Sequence, residues 1–289
     1  MKKGALDYLG YGAAALVVGL MVYALLYLLW FNPFYQAGSY GGWDSEAWGR
    51  HTEEGEERFT DPIRSLSVDN IGGSVVIQGW DQSFLRVKYV KSAPSQEHLE
   101  NLEVTIDKSD NRLSLRRTSK TSRSRGSVSF EIWAPRGLTT VAAESVSGNI
   151  QLLEMGSDVS QKLSTISGSI FTDNSADLSV HSVSGSVECS FSGANLKADT
   201  TSGRITARIM RVEPRGSVEI NSVSGSVNIY VFPELDADAN IRTVSGSIDS
   251  EIPIALTSTK RNRLEGTIGE GGLPFSISTV SGSIRIKKL

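Results

Sequence analysis

The 289-residue chain has one cysteine, Cys189, and three scattered histidines, His51, His98 and His181. A lone cysteine excludes an intrachain disulfide and cannot seed a zinc cluster. The thiol–imidazole pair available for nucleophilic chemistry is Cys189 with His181. Cys189, however, falls at an apolar position of a repeat, where a small core residue is expected. Net charge is also small, −3 from 29 basic and 32 acidic side chains, which leaves no electrostatic footprint for nucleic acid. Catalytic signatures are missing: there is no Gly-x-Ser-x-Gly elbow, no Gly-x-x-x-x-Gly-Lys-Ser/Thr loop and no His-Glu-x-x-His pair. Asp173, Asp177, Asp199, Asp236, Asp238 and Asp249 are dispersed among turns and faces. Asp236 and Asp238, two apart on a strand, read as a solvated edge rather than a carboxylate pair. The sequence therefore reads as non-enzymatic, with no metal and no cofactor.

Proline is scarce while glycine is abundant, with 8 against 28 residues. That balance suits many short strands joined by tight turns. One long uncharged run stands apart, Tyr8 to Phe31, 24 residues. As a helix it would be about 36 Å long, enough to cross a bilayer core of about 30 Å. Tyr8, Tyr11, Tyr27 and Trp30 lie near its ends, where interfacial aromatics belong. Lys2 and Lys3 precede it and an acid-rich stretch follows, so the positive-inside rule puts residues 1–7 in the cytoplasm and everything after residue 31 outside. No A-x-A cleavage site follows the run, and it is longer than a signal-peptide core. Residues 8–31 thus read as an uncleaved transmembrane helix in contact with lipid. The glycine-broken residues 32–58 read as a juxtamembrane linker.

From residue 59 the pattern becomes β. Ile63 to Val68, Asn70 to Ile77 and Phe84 to Val90 read as strands, and Pro94 to Glu100 as a short helix or turn. Leu102 to Ile106 pairs with Leu113 to Leu115, and Phe130 to Trp133 ends at Pro135. Trp80 and Trp133 are the aromatics to watch for glycan binding, with Trp133 expected in the core. Arg112, Arg116, Arg117, Lys120, Arg123 and Arg125 form a basic run with no interleaved aromatics, which reads as a solvated segment.

Residues 141–289 repeat one pentamer. Val183-Ser184-Gly185-Ser186-Val187 and Val223-Ser224-Gly225-Ser226-Val227 are two copies, and Val244 to Ile248 and Val280 to Ile284 two more. Looser copies centre on Gly148, Gly168 and Gly203. The successive steps between glycines are 20, 17, 18, 22, 21 and 36 residues. Glu265-Gly266-Thr267-Ile268 fills the long last step as a degraded copy. A period near 20 marks a solenoid with one coil per repeat. Apolar residues alternate on both sides of each Ser-Gly, with parity slipping just before it. The reading is two strands meeting at a bend, with Val183, Thr201, Val223 and Val244 in one inward column and Val187, Ile205, Val227 and Ile248 in another. Gly148, Gly168, Gly185, Gly203, Gly225, Gly246, Gly266 and Gly282 are then structural turns, because a tight corner needs positive φ or close backbone approach. The alternative for the Ser-Gly-Ser column is a binding ladder for glycan or ions. The array runs to the last residue, so Ile284 to Leu289 reads as an exposed solenoid edge, guarded by Lys287 and Lys288.

The Ser-Gly array, preceded by Phe130-Glu131-Ile132-Trp133-Ala134-Pro135 and Leu138-Thr139-Thr140-Val141, resembles the bacterial putative-adhesin family. The resemblance covers about residues 60 to 289. It implies a β-solenoid-like domain, often near a membrane anchor, and brings no catalytic residues. The Glu265 copy and the longer loop from Pro253 to Pro274 depart from the pattern.

The fold expected is all-β: a parallel β-solenoid (β-helix-like) domain over 59–289, with antiparallel strands at its N-terminal side and one transmembrane helix before it. The function expected is a membrane-anchored, extracytoplasmic binding, adhesion or scaffolding module at the cell envelope. Its partners would be membrane lipid, an envelope protein or a glycan, and not nucleic acid. Two readings stay open beside it: a polymerising, bactofilin-like homo-oligomer, and an accessory of envelope-stress signalling.

Overall fold

The computed structural model describes residues 51–121, 125–156, 158–260 and 262–289. The expected span 8–31 and most of the expected linker lie outside these residues. Among the described residues no helix is long and apolar enough to cross a membrane.

The chain opens with β1 (His51–Phe59), β2 (Ser65–Gly72), β3 (Val75–Trp80) and β4 (Leu85–Ala93). A short helix α1 (Gln96–Glu100) follows, its N-terminus capped by the Ser95 side chain accepting from His98 N–H. Then come β5 (Leu102–Ser109), β6 (Arg112–Ser119), β7 (Ser127–Pro135), β8 (Thr140–Ser147), β9 (Ile150–Leu153), β10 (Ser160–Ser167), β11 (Ile170–Thr172) and β12 (Leu178–Ser184). The long strands β13 (Val187–Ser202) and β14 (Ile205–Ser224) each run from one coil into the next. The chain closes with β15 (Val227–Val231), β16 (Ala237–Ser245), β17 (Ile248–Ser250), β18 (Ala255–Lys260), β19 (Arg263–Ile268), β20 (Pro274–Ser281) and β21 (Ile284–Lys288).

These strands stack into two ladders that meet at the Ser-Gly corners. Ladder A runs β5-β6-β2-β8-β10-β12-β13-β14-β20-β16-β19-β18. Ladder B runs β1-β4-β7-β3-β9-β11-β13-β14-β15-β21-β17. The middle of each is parallel; antiparallel strands close both ends of ladder A and the β1 end of ladder B, while ladder B finishes at β17, parallel to β21. The fold is thus all-β and solenoid-like.

Three expectations change here. First, β1 occupies residues assigned to the linker. Its acids meet cations on β4: Glu56 pairs with Arg86 (2.7 Å), Glu54 with Lys88 (3.2 Å) and Glu53 with Lys91 (2.7 Å). Cross-strand charge pairs of this kind hold an otherwise polar edge strand in place.

Second, the coils do not stack in chain order. β20 and β21 lie between β14–β15 and β16–β17, so Ile284–Lys288 is an interior strand and not the exposed edge. The β18–β19 hairpin occupies the step that looked like a degraded coil. β19 runs antiparallel beside β16, with Gly266 opposite Ala239 and Leu256 in mid-strand; Gly266 is therefore no corner.

Third, alternation in ladder A continues without a slip. Leu178, Val180 and Ser182 all point inward, while Val183 lies half-exposed on the outer face. The inward column is Asn70, Ser145, Thr165, Ser182, Thr200, Ser222, Thr279 and Thr243, each in register with the next and buried. The column Val146, Ile166, Val183, Thr201, Val223, Val280, Val244 faces out. Space explains the choice. A Cβ on Gly148, Gly168 or Gly246 would lie only 3.0–3.2 Å from the hydroxyl of Ser145, Thr165 or Thr243. The inside of each bend therefore admits only small side chains.

Beyond the corner, Val187, Ile205, Val227 and Ile248 do form an inward column, with Ile284 inserted between the last two. The main core is one cluster that runs the length of both ladders. Coil β10–β11 carries a polar pair inside it. Thr172 Oγ1 donates to Gln161 Oε1 (2.6 Å), and Gln161 Nε2 donates to the Asn174 carbonyl.

Five hydroxyls of the inner column, those of Ser145, Ser182, Thr200, Ser222 and Thr279, have no hydrogen-bond partner among the described residues. An unpaired buried hydroxyl costs about 1–3 kcal/mol. Thr200→Val keeps the shape and removes the hydroxyl. It is expected to raise stability by about 1 kcal/mol in urea unfolding, and a loss of stability would show that the hydroxyl is satisfied.

Candidate binding surface

The Ser-Gly corners recur from coil to coil. Gly185, Gly203 and Gly225 have φ of 153°, 151° and 151°, a region L side chains rarely adopt. Their N–H groups donate to the next coil: Gly185 to Ser202 O, Gly203 to Ser224 O and Gly225 to Ser281 O, each at 3.1 Å. Gly148 and Gly168 donate to Ser167 O and Ser184 O (3.1 Å each), and Gly282 to Ser245 O (3.2 Å). In every corner a Cβ would collide with the carbonyl oxygen of the preceding coil's glycine. The column of Gly148, Gly168, Gly185, Gly203, Gly225, Gly282 and Gly246 is thus spent on packing backbone against backbone. The corner serines Ser147, Ser167, Ser184, Ser202, Ser224, Ser281 and Ser245 stand exposed beside it.

Chemistry-bearing side chains gather elsewhere, on the outer face of ladder B at its N-terminal end. Parity fixes them. Phe130, Ile132 and Ala134 of β7 point into the core, so Trp133 points out, half-buried, and is not a core residue. Register places Arg86 of β4 on one side of it and Gln78 of β3 on the other. The Arg86 guanidinium lies 4.7 Å from the Trp133 ring centroid. The same guanidinium makes a two-point bond to Glu56, Nε to Oε1 at 2.8 Å and a terminal nitrogen to Oε2 at 2.7 Å. That hydrogen bond holds the Glu56 carboxyl below the usual carboxylate range and pushes Arg86 up. Trp80 lies 6.3 Å from Trp133 with the rings tilted by 34°. Phe84 packs edge-on to Trp80 at 4.7 Å and carries Arg58 over its face at 3.4 Å. Trp80 Nε1 donates to the Phe84 carbonyl (2.9 Å), which fixes the turn. Arg136 and Asp81, paired at 2.9 Å, stand exposed at the margin. Three aromatic rings, two of them under arginines, gather with paired hydrogen-bonding groups on one surface, a combination suited to stacking and to cation–π contacts.

Other residues singled out by the sequence do not converge. Cys189 is fully buried in ladder B between Thr172 and Ala207, and burial pushes its thiol up to about 12. His181 lies on the outer face of ladder A in register with Asp199, so the two form no nucleophile pair. Asp236 accepts from Glu270 N–H (2.8 Å), and Asp238 lies beside Gly271; both support the turn before β20. In the basic run, Arg116 pairs with Asp69 (3.2 Å) and Lys120 with Glu103 (3.5 Å). Arg117 is buried, which lowers its pKa, and donates to Gly126 O at 3.4 Å. Arg123 lies outside the described residues. Among the described residues no three metal-ligating side chains cluster. The roles of Arg58, Phe84 and Arg86 went unread in the sequence, because register alone brings them to Trp133 and Trp80.

A family model described as Toastrack DUF4097 matches residues 122–287, more than half of the chain. No curated protein matches. Solved structures similar to the chain include a putative cell adhesion protein from Clostridium sporogenes, 13% identical, covering 82% of this chain and 100% of that one at a TM-score of 0.37. A putative adhesin from Bacteroides fragilis is 12% identical over 81% and 97% of the two chains, with a TM-score of 0.39. A third, a putative adhesin from Parabacteroides merdae, is 13% identical over 82% and 96%, with a TM-score of 0.34.

Proposed function

The chain belongs to the Toastrack DUF4097 family, and from that premise we propose that it is a non-catalytic binding module, anchored in the cytoplasmic membrane by residues 8–31 and facing outward at the cell envelope. The observation that carries the binding reading is the Trp80–Trp133–Phe84 surface with its three arginines. Such rings offer flat apolar faces to sugar or side-chain partners, while Arg136 and Asp81 offer hydrogen bonds at the rim. The anchor and the orientation rest on the uncharged run and on the charges that flank it. Envelope glycan and envelope protein are the partner classes this surface suits.

Two measurements test this. Protease added to intact spheroplasts is expected to digest residues 51–289, and full protection there, with digestion only after lysis, contradicts the outward orientation. For binding, full-length protein in detergent is mixed with purified cell-envelope fragments and sedimented. Trp133→Ala with Trp80→Ala is expected to weaken retention at least tenfold, about 1.4 kcal/mol. Circular dichroism should be unchanged, since both side chains lie outside the core. Equal retention of the variant would remove this surface from the account.

A further inference from the structure

Among the described residues, one corner of the solenoid has no strand on its outer side. In each interior coil the corner N–H groups donate forward. Gly225 and Gly282 reach Ser281 O and Ser245 O (3.1 and 3.2 Å), and Val227 and Ile284 reach Ser283 O and Ser247 O (2.9 Å each). The coil that stands last in space is β16–β17, and its equivalents are Gly246 and Ile248. β19 covers β16 only as far as the Asn262 carbonyl, which accepts from Thr243 N–H at 2.9 Å. β17 pairs with β21 on one side, and among the described residues no strand lies on the other. The stretch Val244 to Ser250 therefore presents the backbone groups that every other corner satisfies with the next coil. Exposure follows: Gly246 is exposed where Gly185 and Gly225 are half-buried, and Val244 is 49% exposed where Val183 and Val223 are half-buried.

We infer that this edge, Val244 to Ser250, is a self-association site, paired antiparallel with the same edge of a second copy across a two-fold axis. An open edge with alternating outward N–H and C=O groups is self-complementary under two-fold symmetry. Charge selects this end over the other. Between Val244 and Ser250 the only charged side chain is Asp249, and it stands in register with Arg285 of β21. At the opposite end of ladder B, β1 presents Glu53, Glu54, Glu56 and Glu57, so two copies of that edge would oppose like charges. The edge β5 carries Glu103, Asp107 and Lys108. Val244 supplies the apolar contact that an edge needs beyond its hydrogen bonds. Pairing at this end leaves the two N-terminal caps at the far ends of the dimer.

Cross-linking of the full-length chain in detergent tests the site, because buried Cys189 leaves any introduced thiol as the only reactive one. Ser247→Cys is expected to give a disulfide-linked dimer on mild oxidation. Ser186→Cys, at the same position of an interior corner, should stay monomeric. Val244→Glu placed with Ser247→Cys should cut the cross-linked yield at least tenfold and leave the thermal midpoint unchanged, since Val244 is already half exposed. A monomeric Ser247→Cys, equal cross-linking at Ser186→Cys, or a cross-link to a different protein each overturns self-pairing. None of these outcomes depends on which side of the membrane the domain faces, which the protease experiment reads separately.

Discussion

Gly203→Ala is expected to lower stability by about 2–6 kcal/mol, the sum of about 1–3 for backbone strain and about 1–3 for overpacking. Both terms come from the corner. Its φ of 151° disfavours any L side chain, and a Cβ there would meet the Gly185 carbonyl oxygen of the coil before. Neither neighbour can yield, because Gly185 N–H is itself bonded to Ser202 O and Gly203 N–H to Ser224 O, each at 3.1 Å. The control is Gly137→Ala, where a Cβ meets nothing within 4 Å. Urea unfolding monitored by circular dichroism should separate the two clearly. Equal midpoints would mean that the corner relaxes at little cost and that the pentamer is retained for something other than packing.

Deleting residues 274–289 is expected to abolish cooperative folding of the C-terminal half. Were the coils stacked in chain order, this deletion would peel off a terminal rung and leave the rest intact. In the structure it removes the coil that joins β14–β15 to β16–β17. Phe275, Ile277, Ile284 and Ile286 are buried almost completely in that coil. At about 1.5–3 kcal/mol for each side chain, their loss withdraws about 6–12 kcal/mol, comparable to the whole stability of a typical domain, about 5–15 kcal/mol. Limited proteolysis should cut the truncated chain throughout 218–268. A resistant fragment extending to residue 268 would contradict the inserted position of β20–β21.

What the sequence disclosed, and what it hid, follows from what each residue pattern encodes. Period-2 alternation identified the strands and the column Val187, Ile205, Val227, because a β strand has two faces and those residues share one. The glycine spacing identified the corners, since only glycine allows backbone to stack on backbone there. The same alternation, followed strictly through Leu178, Val180 and Ser182, would have turned Val183 outward. Hydrophobicity argued the other way, and steric room inside the bend decided for serine and threonine. Spatial order was not legible at all. Equal repeats pair equally well with any neighbour, so nothing in their spacing says that Gly282 sits between Gly225 and Gly246. The hairpin β18–β19 was hidden because Glu265-Gly266-Thr267-Ile268 imitates a coil while its partners run antiparallel. The aromatic surface was half legible. Trp80 and Trp133 drew attention, but Arg86 over Trp133 and Arg58 over Phe84 arrive by pairing of β1, β4 and β7, which composition does not reveal.

The order of the final coils defines both the interior strand and the open edge. Corner serines report it directly. Ser226 and Ser283 lie on adjacent strands by register, and Ser247 Oγ is 3.1 Å from Ser283 Oγ. Adjacent strands are about 4.8 Å apart, within disulfide reach, whereas two rungs, about 9.6 Å, exceed it. Intramolecular disulfide formation is therefore measured by mass spectrometry in two double variants at low protein concentration. A bond is expected in Ser226→Cys with Ser283→Cys and none in Ser226→Cys with Ser247→Cys; the reverse result would contradict the insertion of β20–β21 between β14–β15 and β16–β17.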